Sequence, residues 1–315
     1  MTSITSTRGM LGAGSAMFCV GTLTAVSATI ADYPVFGGQA VRYTVAAAIL
    51  LVVVRFLDAR QDRPQLALRN LTPRDLVLLT ALAGTGLAAF NVFIVAATRD
   101  TSPATIGTVI ATVPIVLALV GPILERRRPS PTIVVSAVVV ALGAALANGL
   151  GSGTLHGLLL SLGALGGEVC FSLLAVPLLP KLGPLRVSAY SAALAAPMLL
   201  VIGLIADGRG VVRTPTVSEA AGFTYLTVIV TTVAFFLWYD AIGRLGADRA
   251  GLFAGMIPVS AVITTVVLGL GGPGPADLLG AALVATGVVI GLRPRRRPAA
   301  APAPAPEPEP EPAGC

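Results

Sequence analysis

Superposed on itself 144 positions out of step and without a gap, the chain places Ala97 on Ala241, Gly107 on Gly251, Pro114 on Pro258, Pro129 on Pro273 and Pro131 on Pro275. In the same register Ala137 falls on Ala281, Ala141 on Ala285 and Gly143 on Gly287. The matched stretches are strongly apolar. An internal repeat of this length, carried by apolar segments, predicts two structurally similar halves built from helices.

Of 315 residues, 55% are apolar and 11% charged, a balance that would leave a soluble domain with a large exposed apolar surface. The chain therefore reads as an all-α integral membrane protein. Apolar windows long enough for a hydrocarbon core of about 30 Å predict ten transmembrane helices. They fall near 10–30, 36–56, 75–98, 103–124 and 131–149, then near 155–178, 186–206, 217–241, 249–270 and 275–292. The first run follows Arg8 like a secretory signal, but it is long and further spans follow, so it is read as a retained helix. The halves are then 1–150 and 151–293. Residues 294–315, rich in Arg, Pro, Ala and Glu, are expected to form an extended, solvated tail. Cys19, Cys170 and Cys315 have neither disulfide nor metal spacing, so no metal or cofactor is expected. The net charge of +6 has to be weighed against membrane topology, and nucleic acid is not an expected partner.

With the N-terminus inside, all but four of the 21 Lys and Arg residues lie on the cytoplasmic side. Arg99, Arg209 and Arg213 lie outside, and Arg42 lies within a helix. The positive-inside rule thus predicts cytoplasmic termini in the cell membrane and supports the number of spans. Five helices per half is odd, so the second half must be inverted. The copies differ accordingly: Glu125-Arg126-Arg127-Arg128 on the inside is matched by Gly269-Leu270-Gly271-Gly272 on the outside. Register fades around Arg42, which falls on Arg186 at the mouth of the seventh span and not at Arg42's depth.

These residues resemble the EamA family of the drug/metabolite transporter superfamily, whose members carry two five-helix EamA repeats. The resemblance covers roughly residues 10–292. It is carried by Arg42 in Gln-Ala-Val-Arg-Tyr, Ala97, Pro114 and Glu125, then by Trp238-Tyr239-Asp240-Ala241, Pro258 and the run Gly280 to Gly287. The segment Gly167-Glu168-Val169-Cys170-Phe171-Ser172 looks like the opening of a second unit. The Glu that often follows the ninth helix is missing. The resemblance implies a ten-helix carrier of small solutes in the inner membrane, often an exporter. Membrane lipid is the expected surroundings, and oligomeric state is left open, with a homodimer as one option.

Alternating access needs a site near the bilayer midplane, where broken helices free backbone groups. Pro114 and Pro258 each lack an N–H and crowd the carbonyl four residues back, at Ile110 and Ala254. With Gly107, Gly251 and Gly255 they mark the fourth and ninth helices as hinges beside the pathway, or as tolerated kinks. Glu168, roughly 18 Å into the sixth helix, is a lone carboxylate that favours its protonated form until a cavity opens to water. It reads as a proton-coupling site or as a structural partner of Arg42. Arg42, roughly 9 Å deep, is either a snorkelling side chain, a fixed ion pair, or a fork for a substrate carboxylate or phosphate. Asn91 is placed at similar depth. Thr22, Tyr225 and Thr231 add neutral hydrogen-bonding groups. Trp238 and Tyr239 read as interfacial anchors, Asp240 as a loop ion beside Arg244, and His156 as an outer-surface residue.

The expected function is secondary active transport of a small metabolite or drug-like solute, as a proton-coupled exporter, with proton-linked uptake as the alternative. An intramembrane enzyme acting on lipid, or a membrane scaffold, belongs to another class. Against catalysis, the chain has no His-Glu-x-x-His, no Gly-x-Ser-x-Gly and no phosphate-cradling Gly-x-x-x-x-Gly-Lys.

Overall fold

The apolar windows fold as helices whose ends are written in local chemistry. In the computed structural model, residues 2–60, 71–149, 151–267, 269 and 272–292 are described; the arginines at 63, 69, 293 and 295–297 and the tail 294–315 lie outside them. The helices are α1 (Thr2–Gly21, continued as Leu23–Ser27), α2 (Val35–Arg60), α3 (Pro73–Ala97), α4 (Pro103–Leu124) and α5 (Pro131–Asn148). They are followed by α6 (Leu155–Leu173), α7 (Leu179–Asp207), α8 (Val217–Leu245), α9 (Ala247–Gly251, Leu252–Gly255 and Met256–Val267) and α10 (Pro275–Leu292). All of these except α1 and α9 are single stretches long and apolar enough to cross a membrane. Among the described residues no strand forms, and one isolated bridge joins Thr101 to Gly153.

Thr72 with Asp75 and Thr216 with Glu219 close reciprocal capping boxes at the starts of α3 and α8, each satisfying two otherwise orphaned N–H groups. Pro73, Pro103 and Pro131 occupy first-turn positions where no N–H is needed. Gly149 and Gly246, at φ 80° and 83°, end α5 and α8 in a conformation that a side chain would strain. The two repeat prolines act where their chemistry requires. Upstream of Pro114, α4 breaks between Ile110 and Val113; upstream of Pro258, α9 tightens to a 3-10 turn over Leu252–Gly255.

The 144-residue register holds in three dimensions. Val35 and Leu179 start α2 and α7, Pro73 and Val217 start α3 and α8, and Pro103 and Ala247 start α4 and α9. Asn148 and Leu292 end α5 and α10. The two capping boxes are repeat mates. So are two π-helical segments, Leu82–Ala89 in α3 and Leu226–Val233 in α8. No gap is needed at Arg42, since Val35 and Leu179 are mates, but the two arginines stand differently: Arg186 follows directly on a break inside α7 and so lies at a helix mouth, as expected, whereas Arg42 lies within the unbroken α2. What differs is the helix around Arg186, which is kinked at Gly183 (φ 72°).

Packing follows the same dyad. The self-related pairs α2 with α7 and α5 with α10 make extensive contacts, while α1 on α8 and on α9 is answered by α6 on α3 and on α4. At the α5–α10 crossing the chains run antiparallel and nearly touch backbone to backbone. A Cβ added at Gly143 would stand 2.7 Å from the Gly280 oxygen; at its mate Gly287 it would stand 2.9 Å from the oxygen of Ser136, the mate of Gly280. Large exposed side chains such as Phe56, Val77, Leu142, Ile205 and Leu278 face outward, forming the apolar surface that lipid covers. The odd–even order of the helices puts the α4–α5, α6–α7 and α8–α9 turns on one side, with Arg126, Arg127, Lys181, Arg244 and Arg249; this is termed the basic face. Arg99, Arg209 and Arg213 lie at the opposite face.

Because Gly143 and Gly287 have no room for a side chain, Gly143→Val and Gly287→Val should each destabilise the bundle by about 1–3 kcal/mol. Thermal melts in detergent check this, with Gly166→Ala, where open space surrounds the added carbon, as the near-neutral control.

Candidate functional site

Arg42 and Thr231, far apart in sequence, meet in the bundle interior. Arg42 is 5% exposed and Thr231 fully buried, and the Arg42 Nε–H donates to Thr231 Oγ1 across 2.5 Å. The Nη1 group donates to Gln39 Oε1 at 3.2 Å, and the guanidinium lies 5.5 Å from the Tyr43 ring centroid. Thr231 belongs to the π-helical segment of α8, and its hydroxyl in turn donates to the Leu226 carbonyl five residues back, at 3.1 Å. The widened turn is thus satisfied by the same hydroxyl that receives the arginine. Such π segments recur at functional sites.

A second contact joins α1 to α8: the hydroxyls of Thr22 and Tyr225 stand 2.9 Å apart, and Thr22 donates to the Cys19 carbonyl at 2.7 Å. Asn91 does not join Arg42; its amide donates to Leu87 O of its own helix at 2.8 Å. Glu168 and Arg42 form no ion pair among the described residues. The Glu168 carboxylate has no hydrogen-bond or ion-pair partner there, yet no sealed side-chain oxygen or nitrogen lacks a partner. Glu168 therefore faces space that a water-sized molecule reaches.

Between these groups stands an aromatic wall. Phe171 packs on Phe235 and Tyr239 with ring centroids 4.9 and 5.0 Å apart, and Tyr43 reaches Phe235 at 6.2 Å. Trp238 and Tyr239, expected as interfacial anchors, are instead core residues, 2% and 0% exposed. The Trp238 indole N–H donates to Ser172 Oγ at 3.2 Å, and the Tyr239 O–H donates to Phe171 O at 3.3 Å. Their polar tips find partners inside the protein, so no membrane interface is needed to hydrate them. The spacing of Phe235, Trp238, Tyr239 and Ile242 is a helical stripe that would have revealed this burial. Tyr239 lies within electrostatic reach of Glu168 and also lines a cavity of about 520 Å³ at the basic face, with Glu125, Asp240 and Arg244. The anticipated Asp240–Arg244 pair forms at 2.6 Å, but Asp240, expected in a loop, lies within α8, one helical turn before Arg244. His156, as expected an exposed residue, pairs with Asp100 at 2.9 Å.

The hinge candidates distinguish the two faces. At the basic face α4 and α9 are in close contact: a Cβ on Gly251 would be 2.9 Å from Leu117 Cδ1, and one on Gly121 3.7 Å from Ala247 Cβ. Arg127 clamps this end, donating from Nη1 and Nη2 to the two oxygens of buried Asp248 at 3.1 Å each, and from Nε to Glu125. These bonds, that to Asp248 foremost, hold the guanidinium more firmly protonated than a free arginine. Gly107, the mate of Gly251, faces not α9 but Asn148 of α5. Gly255 packs on Val140 and Val284 of α5 and α10. Among the described residues no three His, Cys, Asp or Glu side chains gather as a metal site requires.

Thr231→Val would leave a buried arginine N–H without its acceptor and should lower the melting temperature, by the equivalent of about 1–3 kcal/mol. Thr232→Val, which loses only a bond to Thr227 O of its own helix, is the comparison and should be milder.

The comparisons with known proteins agree with this architecture. The chain is 25% identical over 295 residues to the uncharacterized transporter YetK of Bacillus subtilis (strain 168), covering 91% of this chain and 87% of that one. It is 22% identical over 286 residues to the uncharacterized transporter YyaM of the same organism, covering 88% and 90%. A protein crystal structure with 20% sequence identity superposes with a TM-score of 0.74 over 91% of this chain and 98% of that one, which establishes the shared fold. The model of the EamA-like transporter family matches twice, over residues 7–149 and 157–293, once on each half of the dyad, and the chain belongs to that family.

Proposed function

We propose that the chain is a secondary active transporter that moves a small solute across the cytoplasmic membrane by alternating access. The carrying observation is the inequality of two repeat-related contacts: α4 and α9 meet through Leu117 and Gly251 at the basic face, whereas the mate glycine Gly107 turns to Asn148. Two states that exchange these contacts would expose a central site to one side and then the other. Arg127 and Asp248 act as the latch of the basic face. Their repeat mates are Gly271 and Ala104, so no equivalent ion pair can form opposite them. We place the basic face and both termini in the cytosol, a placement supported by the charge asymmetry of the loops.

Glu168 is the coupling group in this reading. It is a carboxylate inside a membrane-spanning helix, without a protein partner among the described residues, next to the tyrosine that lines the basic-face cavity. We assign the direction as export against proton entry. Proton-linked uptake would use the same groups, and flux measured in oriented vesicles separates the two. The halves 1–150 and 151–293 are the moving units, with α2–α7 and α5–α10 as the framework between them.

Reconstituted protein should move its solute when a pH gradient is imposed, and Glu168→Gln should abolish the gradient-driven component while leaving solute exchange without a gradient. Unchanged gradient-driven flux in that variant contradicts proton coupling at Glu168. Turnover of lipid without any solute flux contradicts transport altogether.

A further inference from the structure

Arg42 and Arg186 share one register position in the two repeats, yet only Arg186 is matched by a protein acid. The Arg186 Nη2–H donates to Asp58 Oδ1 at 2.5 Å, an acid supplied by the basic-face end of α2. Since α2 and α7 are related by the repeat, the residue that should answer Arg42 lies 144 positions beyond Asp58, on α7. That residue is Ile202. Its neighbour Gly203 packs on the first turns of α2, where an added Cβ would be 3.1 Å from Phe36 Cβ and 3.4 Å from the Gly37 nitrogen, so position 202 belongs to the α2–α7 crossing on Arg42's side of the bundle. The acid that the repeat register would supply to Arg42 is therefore missing.

A buried guanidinium without an anion is unfavourable, and the groups around Arg42 are neutral. Thr231 holds Nε and Gln39 holds Nη1, while Nη2 has no hydrogen-bond partner among the described residues. Because no sealed side-chain nitrogen there is unsatisfied, Nη2 faces reachable space. The result is a planar guanidinium held at Nε and Nη1, with Nη2 left to donate to an oxyanion.

We infer that Arg42 anchors an oxyanion of the transported solute, a carboxylate or a phosphoryl group, which takes the place that Asp58 holds beside Arg186. The anion supplies in each transport cycle the charge that Ile202 withholds. A permanent acid at position 202 would neutralise Arg42 and close the site, so the apolar residue is a condition of binding. The inference deepens the transport reading and rests on it for its physiological meaning, but binding is measurable without flux.

Melting temperatures of the purified full-length chain in detergent, read with benzoate or inorganic phosphate against chloride at equal pH and ionic strength, provide the test. Either oxyanion at about 10 mM should raise the melting temperature of the wild type, as any ligand of the folded state does. Stabilisation by benzoate alone assigns a carboxylate, and by phosphate alone a phosphoryl group. Arg42→Gln should weaken binding roughly ten-fold or more, since a charge-assisted hydrogen bond contributes at least about one power of ten. Ile202→Glu should melt higher than Ile202→Gln without any added anion and lose the oxyanion response, whereas Ile202→Gln keeps it. The Ile202 pair decides the matter even where Arg42→Gln fails to fold. The proposal is overturned by a wild type that neither oxyanion stabilises beyond chloride, by an undiminished response in Arg42→Gln, or by identical behaviour of the two Ile202 variants. Oxyanion binding with no flux in vesicles would instead count against the transport reading alone.

Discussion

Everything in this molecule is arranged around the close approach of α5 to α10. In hydrocarbon there is little apolar driving force between helices, so association depends on close packing of small residues. Gly143 against Gly280, and Gly287 against Ser136, bring two backbones nearly into contact at two points related by the repeat. That pair, together with α2 on α7, defines the dyad. The remaining helices then have symmetric berths: α1 beside α8 and α9, α6 beside α3 and α4.

A symmetric frame makes each departure from symmetry meaningful. The capping boxes, π segments and prolines occur in both copies and serve the frame. The charges do not. Arg127–Asp248 latches one face and has only Gly271 and Ala104 as mates; Arg186 has Asp58, whose register mate on Arg42's side is the apolar Ile202; Glu168 is matched in sequence by Thr24. An ion pair within the framework is a closed contact that holds two helices. A charge whose mate is neutral, or whose counter-ion is absent, is free to be completed from outside the protein. The candidate chemistry is concentrated at these unequal places.

Much of this was legible in the sequence because membrane helices must be long, apolar and flanked by asymmetric charge. Ten spans, the inverted repeat and the breaks before Pro114 and Pro258 all follow from such constraints. Other features were hidden for definite reasons. The π segments have no residue signature beyond their shared register. Trp238 and Tyr239 looked like interfacial residues because both roles use the same amphipathic rings, and only the partners Ser172 and Phe171 O place them inside. Depth counted along one helix put Arg42 beside Asn91, but neighbours across helices depend on tilt and rotation, which gave Arg42 to Thr231 instead. The difference in depth between Arg42 and Arg186 was legible, and its cause is the break at Gly183, which has no counterpart in α2.

The central claim, that the two repeats exchange one contact for its mate, has a direct measurement. In a background with Cys19, Cys170 and Cys315 replaced by Ser, one cysteine pair is placed at Leu117 and Gly251 and a second, in a separate protein, at the mates Ala261 and Gly107. Disulfide formation is then followed in membranes during transport. The account predicts that both pairs cross-link, that either disulfide stops flux, and that transported solute shifts the two yields in opposite directions. If the Leu117 and Gly251 pair cross-links without loss of flux, or the Ala261 and Gly107 pair never forms under any condition of turnover, the exchange does not take place.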